Sequence, residues 1–176
     1  MLYQSKIGGC FAVLRENLYR LLGYGASICF NAVNLLLGGN LPPFGSACVV
    51  VREGERYLLL EHSNGKIGLP GGFIRWREEP EETARRECRE ETGLEVRLGD
   101  LVGCFSTPTT SWARMSTLTV LYSAEIAGGS LRQAIEGRPG WFSAEEAQQR
   151  LDPYYQRLFE GYLRYYKRHP LPASNS

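Results

Sequence analysis

The sequence predicts an α/β fold in which a mixed sheet packs between helices, with a helical extension ahead of it. Three observations carry this reading. Apolar or β-branched runs at Ala47–Arg52, Tyr57–Glu61, Val96–Phe105 and Ser116–Ile126 read as strands. A stretch rich in Glu, Arg and Ala, Pro80–Thr92, lies in their midst and reads as a helix. Two further helix starts follow the last strand signals, at Ser143 and at Asp152-Pro153.

The first forty residues form a separate segment. Leu21 through Gly39 holds no charged side chain, and Arg15 and Arg20 precede it. On a helical wheel Leu14, Leu18, Leu21, Gly25, Ile28, Ala32 and Leu35 share one face, opposite a narrower stripe of Asn17, Arg20, Tyr24, Ser27, Asn31 and Asn34. A membrane span needs roughly 20 predominantly apolar residues, and glycines and polar side chains interrupt this run. The pattern suits an amphipathic helix packed on its own domain or on a second copy, or lying at a membrane surface. Residues 10–38 are therefore the candidate segment for a homodimer or for membrane association. No A-x-A site follows the apolar run, which argues against a secretory signal.

The strands follow in order. Glu53-Gly54-Glu55 separates the first two runs and reads as a hairpin turn. Leu69-Pro70-Gly71-Gly72 is a cluster of breakers, so the chain turns there and its backbone can approach a ligand closely at Gly72. Pro80 suits the first turn of the central helix, and Gly93 sits where a left-handed C-terminal cap is expected. Ser116–Ile126 alternates through Leu118, Val120 and Tyr122, and Trp141-Phe142 is a short strand. Ser143 and Glu146 complete a capping box. The last helix carries Leu158, Phe159, Tyr162 and Tyr165 at helical spacing, most simply a core stripe. These elements give an extension over residues 1–43, a domain over 44–169 and a flexible tail over 170–176.

Composition narrows the classes. At 176 residues the chain fits one domain and an extension. A net charge of +1 gives no reason to expect nucleic acid as a partner. Cys10, Cys29, Cys48, Cys88 and Cys104 are odd in number and show no C-x-x-C spacing, which points to reduced thiols in a cytoplasmic protein. His62 and His169 are isolated and read as surface or structural residues.

The chemistry concentrates between Gly72 and Leu94. Gly72 is followed after five residues by Glu78, and after seven more by Arg86-Glu87-Cys88-Arg89-Glu90-Glu91-Thr92-Gly93-Leu94. Seven fixed residues at this spacing arise by chance on the order of 10⁻⁹ times per starting position. Glu87, Glu90 and Glu91 stand at i, i+3 and i+4 on one helix face. Ala84 and Cys88 occupy another face, the core side. Arg86 and Glu90 are four apart, which lets the guanidinium hold a carboxylate. Carboxylates crowded on one patch repel unless a cation sits among them, and hard divalent ions, Mg²⁺ above all, take such oxygens together with substrate phosphates.

Residues 72–94 resemble the signature box of the Nudix hydrolases, with every fixed position met and Cys88 where an aliphatic residue is usual. The resemblance implies a Nudix-type α/β/α sandwich and a loop–helix–loop that binds Mg²⁺ or Mn²⁺. It implies hydrolysis of the diphosphate in a nucleoside diphosphate linked to another group. By the resemblance Glu87, Glu90 and Glu91 are metal ligands, with the Gly71 carbonyl as a further one. Glu78 supports the metal shell and Arg86 orients the glutamates. Glu87 is one candidate general base. Glu136, five residues before Trp141, is a second, against its reading as a solvated loop charge. Glu90 and Arg86 complete the catalytic set.

Arg75 and Arg77 depart from the residues common in the family, an acid and a glycine. They read either as tolerated substitutions or as phosphate contacts. If position 77 needs a positive φ, arginine there carries about 1 kcal/mol of strain. Glu79 takes the slot where Ser or Thr would cap best. Phe73 and Trp76 are similar to features of members that act on ADP-ribose, and Pro108 stands near a proline those members often carry. Trp112 and Tyr122 are candidates to stack a purine, against the simpler reading as core. The favoured substrate is therefore a small nucleotide of ADP-ribose or nucleotide-sugar type. A nucleoside triphosphate pyrophosphohydrolase that clears oxidised nucleotides, a non-catalytic nucleotide sensor and a membrane-associated scaffold are the alternatives.

Overall fold

A single strand, β1 (Phe44–Glu53), organises the sheet because it is buried on both faces. Its side chains alternate between two cores. Ala47, Val49 and Val51 belong to one, and Cys48 and Val50 to the other. The continuous apolar run in the sequence is what such a strand requires. The computed structural model describes residues 21–62, 65–134 and 137–169. Arg15, Arg20, Leu14, Leu18, Asn17, Cys10, Glu136 and the 170–176 tail lie outside them.

Strand β2 (Arg56–Glu61) returns from β1 through the expected turn, with Arg52 opposite Tyr57. Short strands β3 (Ile67–Gly68) and β4 (Gly71–Phe73) follow. The breaker cluster is thus not wholly a turn. Gly71, Gly72 and Phe73 run extended and pair antiparallel with Cys48, Ala47 and Ser46 of β1. Helix α2 (Pro80–Thr92) comes next, then β5 (Leu94–Thr107) and β6 (Thr117–Gly129), which pair with each other antiparallel. Strand β6 lies parallel to β1, from Phe44 beside Thr117 to Val51 beside Ala124. Strand β7 (Arg138–Ser143) pairs with β2. Helices α3 (Ala144–Arg150) and α4 (Pro153–Arg168) close the chain.

The sheet is sandwiched, as the α/β class requires. Ala84 and Cys88 of α2 cover one face beside Val49 and Leu58. Leu158, Phe159 and Tyr162 of α4 cover the other beside Val50 and Leu59, so most of the aromatic stripe is core. Tyr165 is only half-buried and packs on Tyr166 and His169. The β6 alternation is also two-sided: Tyr122 and Leu121 are both buried, in different cores, and Leu118 is exposed.

Local signals close each helix. Gly93 adopts φ +80° at the end of α2, and its N–H donates to Arg89 O. The Ser143 hydroxyl accepts from Glu146 N–H while the Glu146 carboxylate accepts from Ser143 N–H (3.1 and 2.7 Å). At α2 the unusual Glu79 is served by Glu82, whose carboxylate accepts its N–H at 3.1 Å.

The described residues fall into two compact units, residues 44–107 with 117–169, and residues 21–43 with Pro108–Ser116. In the smaller unit residues 21–36 form helix α1. On its apolar face Leu21, Ile28 and Leu35 are exposed. The polar stripe makes the contacts instead. Ser27 is buried and donates to Gly23 O, and Asn31 donates to the backbone of residues 111–114. Among the described residues no helix is long and apolar enough to cross a membrane. Cys29 and Cys104 are exposed free thiols, and Cys48 and Cys88 are buried ones.

Candidate active site

The site is built where α2 meets β4. Gly72 has no side chain because the space is taken: a Cβ there would lie 2.5 Å from the Glu87 carboxylate. A Cβ at Gly71 would meet Ala47 O and the Cys48 sulfur, both at 2.5 Å. The glycine pair therefore runs between β1 on one side and the helix carboxylates on the other.

Arg86 is the hub. Its guanidinium grips Glu78 with two bonds, Nε to Oε1 at 2.6 Å and Nη2 to Oε2 at 2.7 Å. Its Nη1 donates to Glu87 at 2.5 Å and reaches Glu90 at 3.4 Å, and its Nη2 also reaches Phe73 O at 3.3 Å. Glu78 further accepts from the Thr83 hydroxyl (2.7 Å) and from Arg75 N–H (3.0 Å). The Arg86 bonds, reinforced by Thr83, hold the Glu78 carboxyl well below the usual carboxylate range despite its partial desolvation. The same pairing raises the Arg86 guanidinium above its ordinary value. The i, i+4 contact with Glu90 expected from the spacing is the weakest of the set.

Glu91 turns inward. It is buried, and its carboxylate accepts the Gly71 N–H at 2.9 Å. Behind it the Cys48 thiol is pushed up, first by burial and then by the negative charge of Glu91 and Glu87. Glu90 is nearly half exposed and pairs with Arg75 at 3.2 Å. Cys88 packs as the small hydrophobe its position calls for, its thiol pushed up to about 11 by burial. Among the described residues no three histidine, cysteine or carboxylate side chains form a ready metal cage. Arg86 and Arg75 supply the positive charge that lets Glu87 and Glu90 stand together.

Residues 42–162 match the family profile described as the NUDIX domain, well over half of the chain. The chain belongs to the NUDIX family. It is 26% identical over 120 residues to an ADP-ribose pyrophosphatase of Methanocaldococcus jannaschii, covering 66% of this chain and 70% of that one. It is 32% identical over 119 residues to a MutT-like protein of Streptomyces ambofaciens, covering 65% of this chain and 74% of the other. A solved NUDIX hydrolase from Nitrosomonas europaea superposes with a TM-score of 0.61 at 23% identity, over 70% of this chain and 90% of its own, which shows the shared fold.

As a Nudix hydrolase the chain carries its signature box on the β4–α2 junction. The structure brings Gly71, Gly72, Arg75, Arg86, Glu87, Glu90 and Glu91 together there. Arg77 does adopt a positive φ of 64° and is exposed. Trp112 belongs to the 108–116 loop of the smaller unit. Thr83 and the Phe73 carbonyl escaped sequence reasoning. Only Thr83 left a signal, since a helix beginning at Pro80 sets it five residues past Glu78, one turn inside the helix.

Proposed function

We propose that this Nudix hydrolase cleaves the diphosphate linkage of a nucleoside diphosphate derivative of ADP-ribose or nucleotide-sugar type, with a divalent cation as cofactor. One observation supports the site more than any other. The Glu87 carboxylate is seated against the bare backbone of Gly72 while sharing the Arg86 guanidinium with Glu90. Glu87 and Glu90 are thereby held in register beside the glycine backbone.

The donor set fits the cofactor in kind, since Glu87, Glu90, Glu91 and the Gly71 carbonyl are all hard oxygens. These residues would hold Mg²⁺ or Mn²⁺, which when bound neutralises phosphate oxygens and acidifies a coordinated water. The chain's own residues do the rest. Arg86 fixes Glu87 at 2.5 Å, so this carboxylate can accept the proton of the water that attacks phosphorus as the anhydride P–O bond breaks. Glu136 is the second candidate for that proton. Glu78 keeps Arg86 in place without itself facing the reaction. Arg75 exchanges Glu90 for a substrate phosphate, and Arg77 offers a second guanidinium.

The ADP-ribose pyrophosphatase among the relatives supports the substrate class. A sensor would have no need of Glu78, Glu87, Glu90 and Glu91 together, and all four are present. The test is incubation with Mg²⁺ and ADP-ribose, NADH, nucleotide sugars and oxidised dGTP, with product analysis. We expect ADP-ribose or a nucleotide sugar to yield two monophosphates. Glu90→Gln and Glu91→Gln should each lower turnover by about 10² or more with the fold retained. Wild-type rates in either variant, or turnover of triphosphates alone, would refute the reading.

A further inference from the structure

The carboxylates of the box meet two guanidiniums that are held very differently. Arg86 is largely buried, and Glu78 grips it through two bonds, at 2.6 and 2.7 Å. It is a fixed part of the site. Arg75 is more than half exposed and reaches Glu90 through one contact at 3.2 Å. The contact between Glu90 and Arg86 is longer still, at 3.4 Å.

The Arg75 contact is supported by the backbone. Residues 75–78 form a turn in which Glu78 N–H donates to Arg75 O at 3.0 Å, and the Glu78 carboxylate accepts Arg75 N–H, also at 3.0 Å. Arg77 takes its left-handed φ of 64° within this turn. The carboxylate that fixes Arg86 therefore also fixes the main chain from which Arg75 crosses to α2. Charge explains what the crossing does. Glu78, Glu87, Glu90 and Glu91 carry four negative charges, and Arg86 and Arg75 answer two of them. A divalent cation taken up by Glu87, Glu90 and Glu91 must compete with a guanidinium that already stands on one of its ligands. Arg86 cannot give way without unmaking its bonds to Glu78. Arg75 can, because its pair with Glu90 is exposed to water.

We propose that Arg75 is a displaceable counter-cation of the metal site. It holds Glu90, is driven off by the metal, and so raises the metal concentration at which the site fills. The identity of the metal ligands comes from the hydrolase reading, but the competition itself needs no substrate.

Metal binding to the full chain, with no substrate present, is the test. Mn²⁺ is titrated into the protein, and the unbound ion is followed by its EPR signal. Arg75→Gln should bind Mn²⁺ about fivefold more tightly than wild type, the size expected for release from an exposed ion pair. Arg75→Lys keeps the charge and should stay within about twofold of wild type. Arg89→Gln removes the same charge from the exposed residue next to Glu90 in the chain, but adjacent helix positions do not face each other, so it should also change little. In a Glu90→Gln background the gain from Arg75→Gln should vanish, because the contact it relieves is already gone. Equal or weaker Mn²⁺ binding by Arg75→Gln, beside a wild type that binds the ion, overturns the proposal and leaves the hydrolase reading intact. An equal gain in Arg89→Gln overturns it as well, since net charge would then be the cause. No saturable Mn²⁺ binding by any of these proteins refutes the assigned metal ligands together with the proposal.

Discussion

Helices α1 and α2 invert the usual link between composition and burial. Helix α2 is crowded with Glu and Arg, yet it seats on the sheet through two small side chains, Ala84 and Cys88, both fully buried. Helix α1 has no charged residue over 21–36, yet leaves Leu21, Leu22 and Leu36 exposed and makes its contacts through Ser27, Asn31 and Asn34. What separates them is the neighbours. A charged helix can pack closely when a guanidinium and backbone N–H groups answer its carboxylates, as Arg86 and Gly71 do. An apolar helix stays exposed when the groups pinning it are polar.

If ion pairing is what locks α2 onto β4, the largest effect follows removal of its hub contact. Glu78→Gln leaves Arg86 short of a charge partner in a largely buried pair and should cost about 3 kcal/mol in urea denaturation. The pH dependence has a definite sign. The Glu78 carboxyl is lowered in the folded state, so its contribution is complete above the unfolded value of about 4.5 and is lost as pH falls below it. Wild-type Tm should drop on that acid limb, and Glu78→Gln should flatten the drop. An unaltered limb would break the comparison.

Gly72→Ala tests close approach instead of charge. The new methyl would collide with the end of the Glu87 side chain, which must move, so activity should fall about 10²-fold while the melting temperature changes little. Unchanged kcat would show that the seat of Glu87 is immaterial. Arg77→Gly removes a left-handed arginine at φ 64° and should stabilise the protein by about 1 kcal/mol. A rise in KM alongside that gain would mark Arg77 as a phosphate contact. At the other end, Leu36→Ser in α1 should change stability by less than about 0.5 kcal/mol, since Leu36 is 85% exposed. A loss of several times that would mean α1 is held by its leucines after all.

Much was legible from local chemistry. Pro80, Gly93, Ser143 with Glu146, and Asp152-Pro153 mark helix ends because capping acts within one turn. The spacing of Glu87, Glu90 and Glu91 put all three on one helix face because helical periodicity is a property of the chain itself. The Gly71–Gly72 pair was read as a turn because glycine usually breaks structure. Here it runs as a strand, since β1 and the Glu87 carboxylate leave no room for a Cβ.

The sequence by itself determined the family and the boundaries of α2, because the box is one contiguous stretch from Gly72 to Leu94 and helix ends are set by residues within a turn of them. Only the tertiary structure decided that Arg86 grips Glu78 more tightly than Glu90, that Glu91 spends an oxygen on Gly71 N–H, and that β6 is buried on both faces. It also decided that Asn31 meets a loop some eighty residues further along. These contacts join segments whose proximity exists only after the sheet has formed, and no periodicity or cap encodes them.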